Sequence, residues 1–449
     1  MDAQKGKFSH WMRHSITARM LVVGVLIALL LTPLAFVQEL IYERAGRQQD
    51  VVQEINQKWG NKIILSGPIL KIPYKTYKQE ELYNQNTKKT TTVLTEVYHT
   101  AYLFPEVLQY DSNVETKPLK RSIYESVVFT AAIDVAGNFS QSDFSSLEIP
   151  QKDVLWDKAT IIVQTSNLKG IKNTLTIQLG DQVLEVAPRY DEQFLNTIES
   201  TPIANLEAFV NTGIPFDFTL DINGSESIAF IPLGKETTAS MQSNWHSPSF
   251  DGNYLPNDQT KQISDSGFKA DWSVLQINRE FEQQFYDHLP NLSSFAFGTK
   301  LVIPVDHYTQ SERSSKYGIL VIGLTLFVFL LIQIVSKIYI HPFQYLLIGL
   351  ALVLFYTLLV SISEHQPFTT AYLIASSSVI VLITLFAKAL LKGIKFALMI
   401  FSSLAALYGF IYVIIQLENY ALLVGSIGLF TILAIIMYVT RKIDWINES

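Results

Sequence analysis

The chain contains no cysteine, which removes disulfide bridges, thiolate catalysis and cysteine-based metal centres from consideration. Any part of it exposed to an oxidising compartment must be held by its packed core, and a segment of a few hundred residues is long enough for that. Charge is also scarce. Asp, Glu, Lys and Arg make up 16% of the 449 residues whereas 49% are apolar, a poor balance for a soluble protein. The formal net charge is −6 and no basic cluster appears in the polar part of the chain, which argues against a nucleic-acid partner. There is no internal repeat and no low-complexity tract.

The apolar excess sits at the two ends. Residues 20–37 ("MLVVGVLIALLLTPLAFV") form one run, and nearly everything from Tyr317 to Val439 forms a second, with a long polar segment between them. A bilayer core of roughly 30 Å needs about 20 apolar helical residues. The pattern predicts six spans, at 20–37, 317–335, 343–362, 370–387, 396–415 and 420–439. Lys5, Lys7, Arg13 and Arg19 precede the first. Lys337, then Lys388, Lys392 and Lys395, then Arg441 and Lys442 mark alternate later breaks, while "SISEHQPF" and "IQLENYA" hold no Lys or Arg. The positive-inside rule then places both termini in the cytoplasm, with tails at 1–19 and 443–449 and a five-helix bundle over 317–442. Residues 38–316 cross to the far side, since long translocated domains escape the charge rule despite Arg44, Arg47, Arg313 and Lys316 at the flanks. A cleaved signal peptide is the competing reading of the first run, but "LTPLAFVQEL" lacks an A-x-A-like site.

After the first span, Val51, Val52, Ile55 and Trp59 share one helical face, with Glu43/Arg47 and Glu54/Lys58 at i,i+4 and Gly60 as a stop, so the helix is expected to continue as a stalk. From Ile63 the period changes to two, the signature of a mainly antiparallel β domain. One hairpin is expected at "NTLTIQLGDQVLEV", turning at Gly180-Asp181, and another at "FDFTLDINGSESIAF", reversing at Asn223-Gly224. The tripeptides "NFS", "NGS" and "NLS" are read as loop residues. The fold class is thus a membrane protein, α plus β: six transmembrane helices with a large β domain inserted between helices 1 and 2.

Candidate chemistry is thin. "SNWHSPSFDGNYLP" brings together Trp245, His246, Ser249, Phe250 and Asp251, residue types found in active sites. A hydrolytic triad draws its members from distant segments, however, and Ser-Pro and Asp-Gly are turn makers. This stretch is read as a recognition loop pinned by Trp245, Phe250 and Tyr254. His99, His246, His288 and His307 are isolated in sequence, and His10 with His14 lies in the basic tail, so neither a metal nor a cofactor is assigned. "GSIG" at 425–428, Ala371/Ala375 and Ala405/Gly409 are helix-packing features. The spans hold almost no ionisable residue at mid-depth, which weakens a transport reading. Glu364, His365 and Glu418 gather at the outer face and, with Arg313 and Lys316, form a candidate rim for docking the β domain.

The strings "WGNKIILSGPILKIPY", "RSIYE", "SNWHSPSFDGNYLP", "SGFKADW", "VDHYTQSERSSKYGIL", "HPFQYLLIGLALVLFYTLLVSISEH" and "LYGFIYVIIQLENYALLVGSIGLF", in this order, closely resemble the CreD inner-membrane proteins of Gram-negative bacteria, from about Glu43 to Trp445. One departure is Ser314-Ser315, where alanines are expected. The resemblance implies an inner-membrane protein with a periplasmic domain, expressed under a CreBC-like two-component system and linked to envelope integrity and the response to β-lactams and a colicin. It supplies no catalytic residue. The leading expectation is a non-enzymatic envelope protein whose partners are the lipid bilayer and a periplasmic or cell-wall component. The alternatives are a small-molecule or lipid transport accessory or channel, with Tyr345, Tyr356, Tyr408, Tyr412 and Gln416 as its polar handles, and a periplasmic hydrolase using His246 and Ser249.

Overall fold

The computed structural model describes residues 15–84, 89–145, 148–190, 194–303, 307–391, 393–417 and 420–441. Lys5, Lys7, His10, Arg13, His14, Lys392, Glu418, Lys442 and the tail at 443–449 lie outside them. The chain divides into two compact units, Val51–Pro304 on one hand and Met1–Asp50 with Val305–Ser449 on the other.

Helix α1 (Ile16–Trp59) is one continuous helix of 44 residues. Its last turns belong to the β unit, where Ile55 and Asn56 are buried. Glu54 pairs with Lys58 at 2.8 Å and also with Arg121; these two cations hold the Glu54 carboxyl at about 2, well below its ordinary value. The helix stops at Gly60 because the backbone there takes φ 154° and a Cβ would stand 2.3 Å from the Asn223 carbonyl oxygen. The N–H groups of Gly60 and Asn61 both donate to the Asn56 carbonyl at 2.9 Å, closing the last turn.

The strands run β1 (Ile63–Asn84), β2 (Lys89–Leu103), β3 (Val107–Arg121), β4 (Tyr124–Phe139), then, after a short helix α2 (Gln141–Ser145), β5 (Thr160–Thr165), β6 (Thr176–Leu179), β7 (Gln182–Arg189), β8 (Asn196–Ser200), β9 (Ile214–Ser225), β10 (Ser227–Phe230), β11 (Glu236–Ser243), β12 (Pro248–Gly252), β13 (Gln262–Ser264), β14 (Gly267–Leu275), β15 (Gln284–Tyr286) and β16 (Phe297–Leu301). They pair in the order β12-β16-β10-β1-β5-β8-β7 and onward through β6-β9-β4-β3-β11-β14-β13, with β2 and β15 branching from β1. All pairs are antiparallel except β1 with β10 and β3 with β11. Alternation of buried and more exposed residues over Leu108–Thr116 of β3 and Ile214–Gly224 of β9 turns one face of each strand to the core.

The two halves of this ladder face each other across one hydrophobic cluster. Tyr110 of β3 stacks on Phe230 of β10 at 4.5 Å, and its buried hydroxyl donates to the Gly67 carbonyl on β1 at 2.9 Å. Trp272 of β14 meets Phe297 of β16 at 5.8 Å. Each such buried aromatic contributes about 1.5–3 kcal/mol through area removed from water.

The β6–β7 hairpin turns at Gly180-Asp181, with Leu179 opposite Gln182 and Gly180 at φ 55°. The second expected hairpin does not form. Asn223 and Gly224 lie inside β9, paired with Thr130 and Phe129 of β4, and the chain changes sheets at Glu226, φ 62°. Glycine is required at 224 for packing rather than turning, since a Cβ would stand 2.4 Å from the Phe129 ring and 2.6 Å from Ile63. Asn138 and Asn223, read as loop residues, are strand residues, paired with Pro215 and Thr130 across β4 and β9.

In the helical unit, α3 (His307–Lys316), α4 (Gly318–Ser336), α5 (Pro342–Ser363), α6 (Phe368–Leu391), α7 (Ile394–Gln416) and α8 (Ala421–Thr440) follow in order. Among the described residues, six helices are long and apolar enough to cross a membrane: α1 and α4 to α8. The first part of α1 packs closely where glycines make room, with Leu34 against Gly318 and Leu30 against Gly349. The polar run "HYTQSERSSK", assigned from sequence to the inserted domain, folds as α3 and belongs to the helical unit. Tyr308, Ser311, Ser314 and Ser315 on it are buried. Ala371 and Ala375 of α6 are also buried, whereas Ala405 and Gly409 face outward. No residue of α8 is buried, as suits an all-apolar helix bathed in lipid; within "GSIG", Gly428 makes room for the Phe410 ring.

Candidate functional site

The stretch expected to be a loop is an edge strand for part of its length. Strand β12 pairs with β16, Ser249 opposite Lys300 and Asp251 opposite Gly298, and it ends the pairing order. Trp245, Phe250 and Tyr254 all pack on the core from its margin. The Trp245 indole N–H donates to the carbonyls of Ser247 and Val302 at 3.1 and 3.2 Å. Phe250 stands edge-on to Phe268 and Trp272 at 5.9 and 5.8 Å. These anchors leave His246, Ser249 and Asp251 exposed. Asp251 pairs with Lys300 at 2.7 Å, and that hydrogen bond holds its carboxyl below the ordinary range. His246 rests beside the Trp245 ring at 5.2 Å. Among the described residues, no hydrogen bond links His246 to Ser249.

The candidate rim resolves into contacts within the helical unit. Glu364, at the C-terminus of α5, meets Arg44 of α1 at 3.4 Å and accepts from the Tyr308 hydroxyl of α3 at 3.0 Å. Lys316 pairs with Glu312 one turn away at 2.7 Å, and Glu312 also accepts from the Tyr42 hydroxyl at 3.2 Å. Arg313 and His365 are exposed; Glu418 lies outside the described residues. The polar groups thus tie α1, α3 and α5 to one another, and charge-assisted bonds of this kind fix helix ends against each other.

A third cluster had no counterpart in the sequence reading. His99 of β2 donates from Nδ1 to Asp287, at 2.9 and 3.0 Å from its two carboxylate oxygens. Nε2 is then the acceptor for the Thr76 hydroxyl of β1, at 2.9 Å. Tyr74 stacks on the His99 ring at 5.2 Å. The Thr100 N–H donates to Asp287 at 3.1 Å, and the Asp287 N–H returns a bond to the Thr100 carbonyl at 2.7 Å. Partial burial works against the Asp287 charge, but the bonds from His99 and the Thr100 amide outweigh it and hold the carboxyl below its ordinary range. Asp287 sits at φ 61°, a left-handed conformation that this network over-determines. Thr76, His99 and Asp287 stand in the order hydroxyl, imidazole, carboxylate, and the relay fixes Asp287 in position.

Asp287 in turn lies on the rim of a cavity of about 260 Å³ in the β unit, lined also by Tyr102, Gln164, Phe194, His288 and Asn291. Nothing in the sequence signals this corner: His99 and Asp287 are 188 residues apart and sit in unremarkable local patterns. Among the described residues no group of three or more His, Asp or Glu is placed to hold a metal ion.

The architecture defines a class: a polytopic membrane protein with six apolar helices and a large β-rich unit inserted between the first helix and the rest. The family model described as "Inner membrane protein CreD" matches residues 15–446, so the chain belongs to the CreD family. It is 29% identical over 427 residues to the protein named Inner membrane protein CreD from Escherichia coli (strain K12), covering 93% of this chain and 91% of that one. Membership and the six helices together make it a multi-pass inner-membrane protein.

Proposed function

We propose that this protein supports the integrity of the cell envelope under stress, including stress from β-lactams and colicins, by presenting its β unit in the periplasm to an envelope or cell-wall partner. The charge asymmetry of the inter-helix breaks supports an orientation with both termini in the cytoplasm. With the N-terminus in the cytoplasm, the one crossing by α1 leaves the segment after it on the far side. The role is one of binding rather than catalysis.

The observation that carries the reading is the margin at β12. An edge strand with one row of backbone groups outside the pairing order, anchored by three aromatic side chains and displaying His246, Ser249 and Asp251 to solvent, suits recognition of an extended partner by strand addition. In-cell photocrosslinking from position 249, with the cells under cell-wall stress, tests it. A discrete adduct with an envelope component is expected. Intramolecular adducts alone would remove β12 as the recognition surface.

One observation favours a second reading, in which the helical unit assists movement of a small molecule or lipid. Tyr356 and Tyr408 are buried between helices, and their hydroxyls have no hydrogen-bond partner among the described residues, an arrangement that is costly in lipid unless a polar species visits. Reconstituted protein showing neither solute flux nor lipid movement would remove this reading.

A further inference from the structure

We propose that the cavity beside Asp287 is a binding site for one neutral, polyhydroxylated ring, a single sugar unit. The inference rests on the reading above that the β unit meets an envelope component, and adds the chemical class of what it binds and a place apart from β12.

Size comes first. A space of about 260 Å³ falls just below the roughly 300–1,000 Å³ of pockets that take drug-sized ligands, so it accommodates one ring and not a chain. Charge comes second. Among the described lining residues there is no Lys or Arg, which disfavours phosphate and carboxylate ligands. The polar groups are instead the Gln164 and Asn291 amides, the Asp287 carboxylate, the Ser66 and Tyr102 hydroxyls and the His288 imidazole. Amides both donate and accept, and a carboxylate has about four acceptor positions, the complement of adjacent hydroxyls that each donate and accept.

These groups are held in place before any ligand arrives. Gln164 is buried and donates to the Thr197 hydroxyl at 3.2 Å. The Asn291 oxygen accepts from the Ser293 N–H at 3.0 Å, which commits the oxygen and leaves the NH₂ to donate. Asp287 is fixed by His99 and by the Thr100 amide, with lone pairs to spare. Such fixing lowers the ordering cost of binding. The apolar part of the lining fits the carbon face of a ring: Tyr102 forms part of the wall, Phe194 lines the cavity with a ring that is 73% exposed, and an aromatic face of this kind stacks on the carbon side of a ring. A small cation is the competing ligand for a carboxylate beside aromatic rings. It would engage the carboxylate and the rings but neither of the two amides that line the same space.

The test uses the full-length protein in a detergent without a sugar headgroup, with saturation-transfer NMR and calorimetry against glucose, N-acetylglucosamine and tetramethylammonium. Saturable binding of at least one sugar is expected, with a dissociation constant on the order of 1 mM for a ligand of this size. Asn291→Ala and Phe194→Ala should each weaken it at least tenfold. Both side chains lie outside the buried core, so the variants fold, and an unchanged near-UV spectrum checks this. No saturable sugar signal, sugar binding indifferent to both substitutions, or tetramethylammonium binding in place of sugar would each overturn the proposal. A photocrosslink from position 249 in a protein that shows no saturable sugar binding would leave the envelope-partner reading standing while the sugar site fails, so the two are separable.

Discussion

Asn56 is the side chain on which the end of α1 is fastened to the β unit, and its removal gives a calculable loss. Its Nδ2 donates to the Glu226 carboxylate at 2.6 Å, and its Oδ1 accepts from the Ser126 hydroxyl at 2.6 Å. Asn56 and Ser126 are 5% and 2% exposed, so water does not reach the Ser126 hydroxyl, whereas the Glu226 side chain is 36% exposed. In Asn56→Ala, the orphaned Ser126 hydroxyl costs about 1–3 kcal/mol. The lost bond to Glu226 costs about 1 kcal/mol more, moderated because Lys62 still pairs with that carboxylate at 3.3 Å. The total is about 3 kcal/mol. The two bonds from Gly60 and Asn61 to the Asn56 carbonyl are backbone bonds and survive, so the helix end is retained. Hydrogen exchange followed by mass spectrometry over residues 51–61 reads the loss directly. A drop in protection of about 100-fold is expected, since each factor of ten is about 1.4 kcal/mol. Removing the orphan as well, in Asn56→Ala/Ser126→Ala, should recover about 1 kcal/mol through non-additivity. A loss below tenfold, or a double variant no more protected than the single one, would refute the reasoning.

Three further outcomes are expected. Gly224→Ala drives a methyl group into Phe129 and Ile63 and should destabilise the β unit by about 1–3 kcal/mol, seen as a lower denaturation midpoint; an unchanged midpoint would show that the ring moves aside freely. Ser314→Ala removes a fully buried hydroxyl that has no hydrogen-bond partner among the described residues. It should leave the melting temperature of the solubilised protein unchanged or higher, and a fall of several degrees would mean the hydroxyl is in use. The Asp251 carboxyl is held below its ordinary range by Lys300, so its contribution is complete above about pH 4 and lost as pH falls through the lowered value. Amide protection factors along β12, which remove the intrinsic pH dependence of exchange, should accordingly fall below pH 4 in the wild type, and a Lys300→Met variant should show the lower protection already at neutral pH. Equal profiles in the two proteins would remove the ion pair as the cause.

How much of this was legible in the residues follows from the range of each interaction. The spans were, because a bilayer imposes a length and a composition on every stretch that crosses it, and "MLVVGVLIALLLTPLAFV" meets both without reference to any other segment. So were the stalk and its stop at Gly60, and the turn at Gly180-Asp181, which are decided within a few residues. The change from period 3.6 to period two at Ile63 announced the β unit. The reversal at Asn223-Gly224 was misread because the same dipeptide that makes a tight turn also gives the smallest cross-section inside a strand, and only the Phe129 ring above it decides between them. The polar helix α3 was assigned to the wrong unit for a related reason: its serines are small before they are polar, and close packing in the helical unit uses the first property. The sequence by itself therefore determined the class of protein, its six crossings and the β character of its insert, since those depend on local composition and period. Tertiary structure alone decided that "SPSFDG" is an edge strand rather than a loop, that Glu364 meets Arg44 and Tyr308, and that Thr76, His99 and Asp287 converge beside a cavity. Each of these joins residues tens to hundreds of positions apart, and no local pattern encodes a contact that only the pairing of distant strands and helices creates.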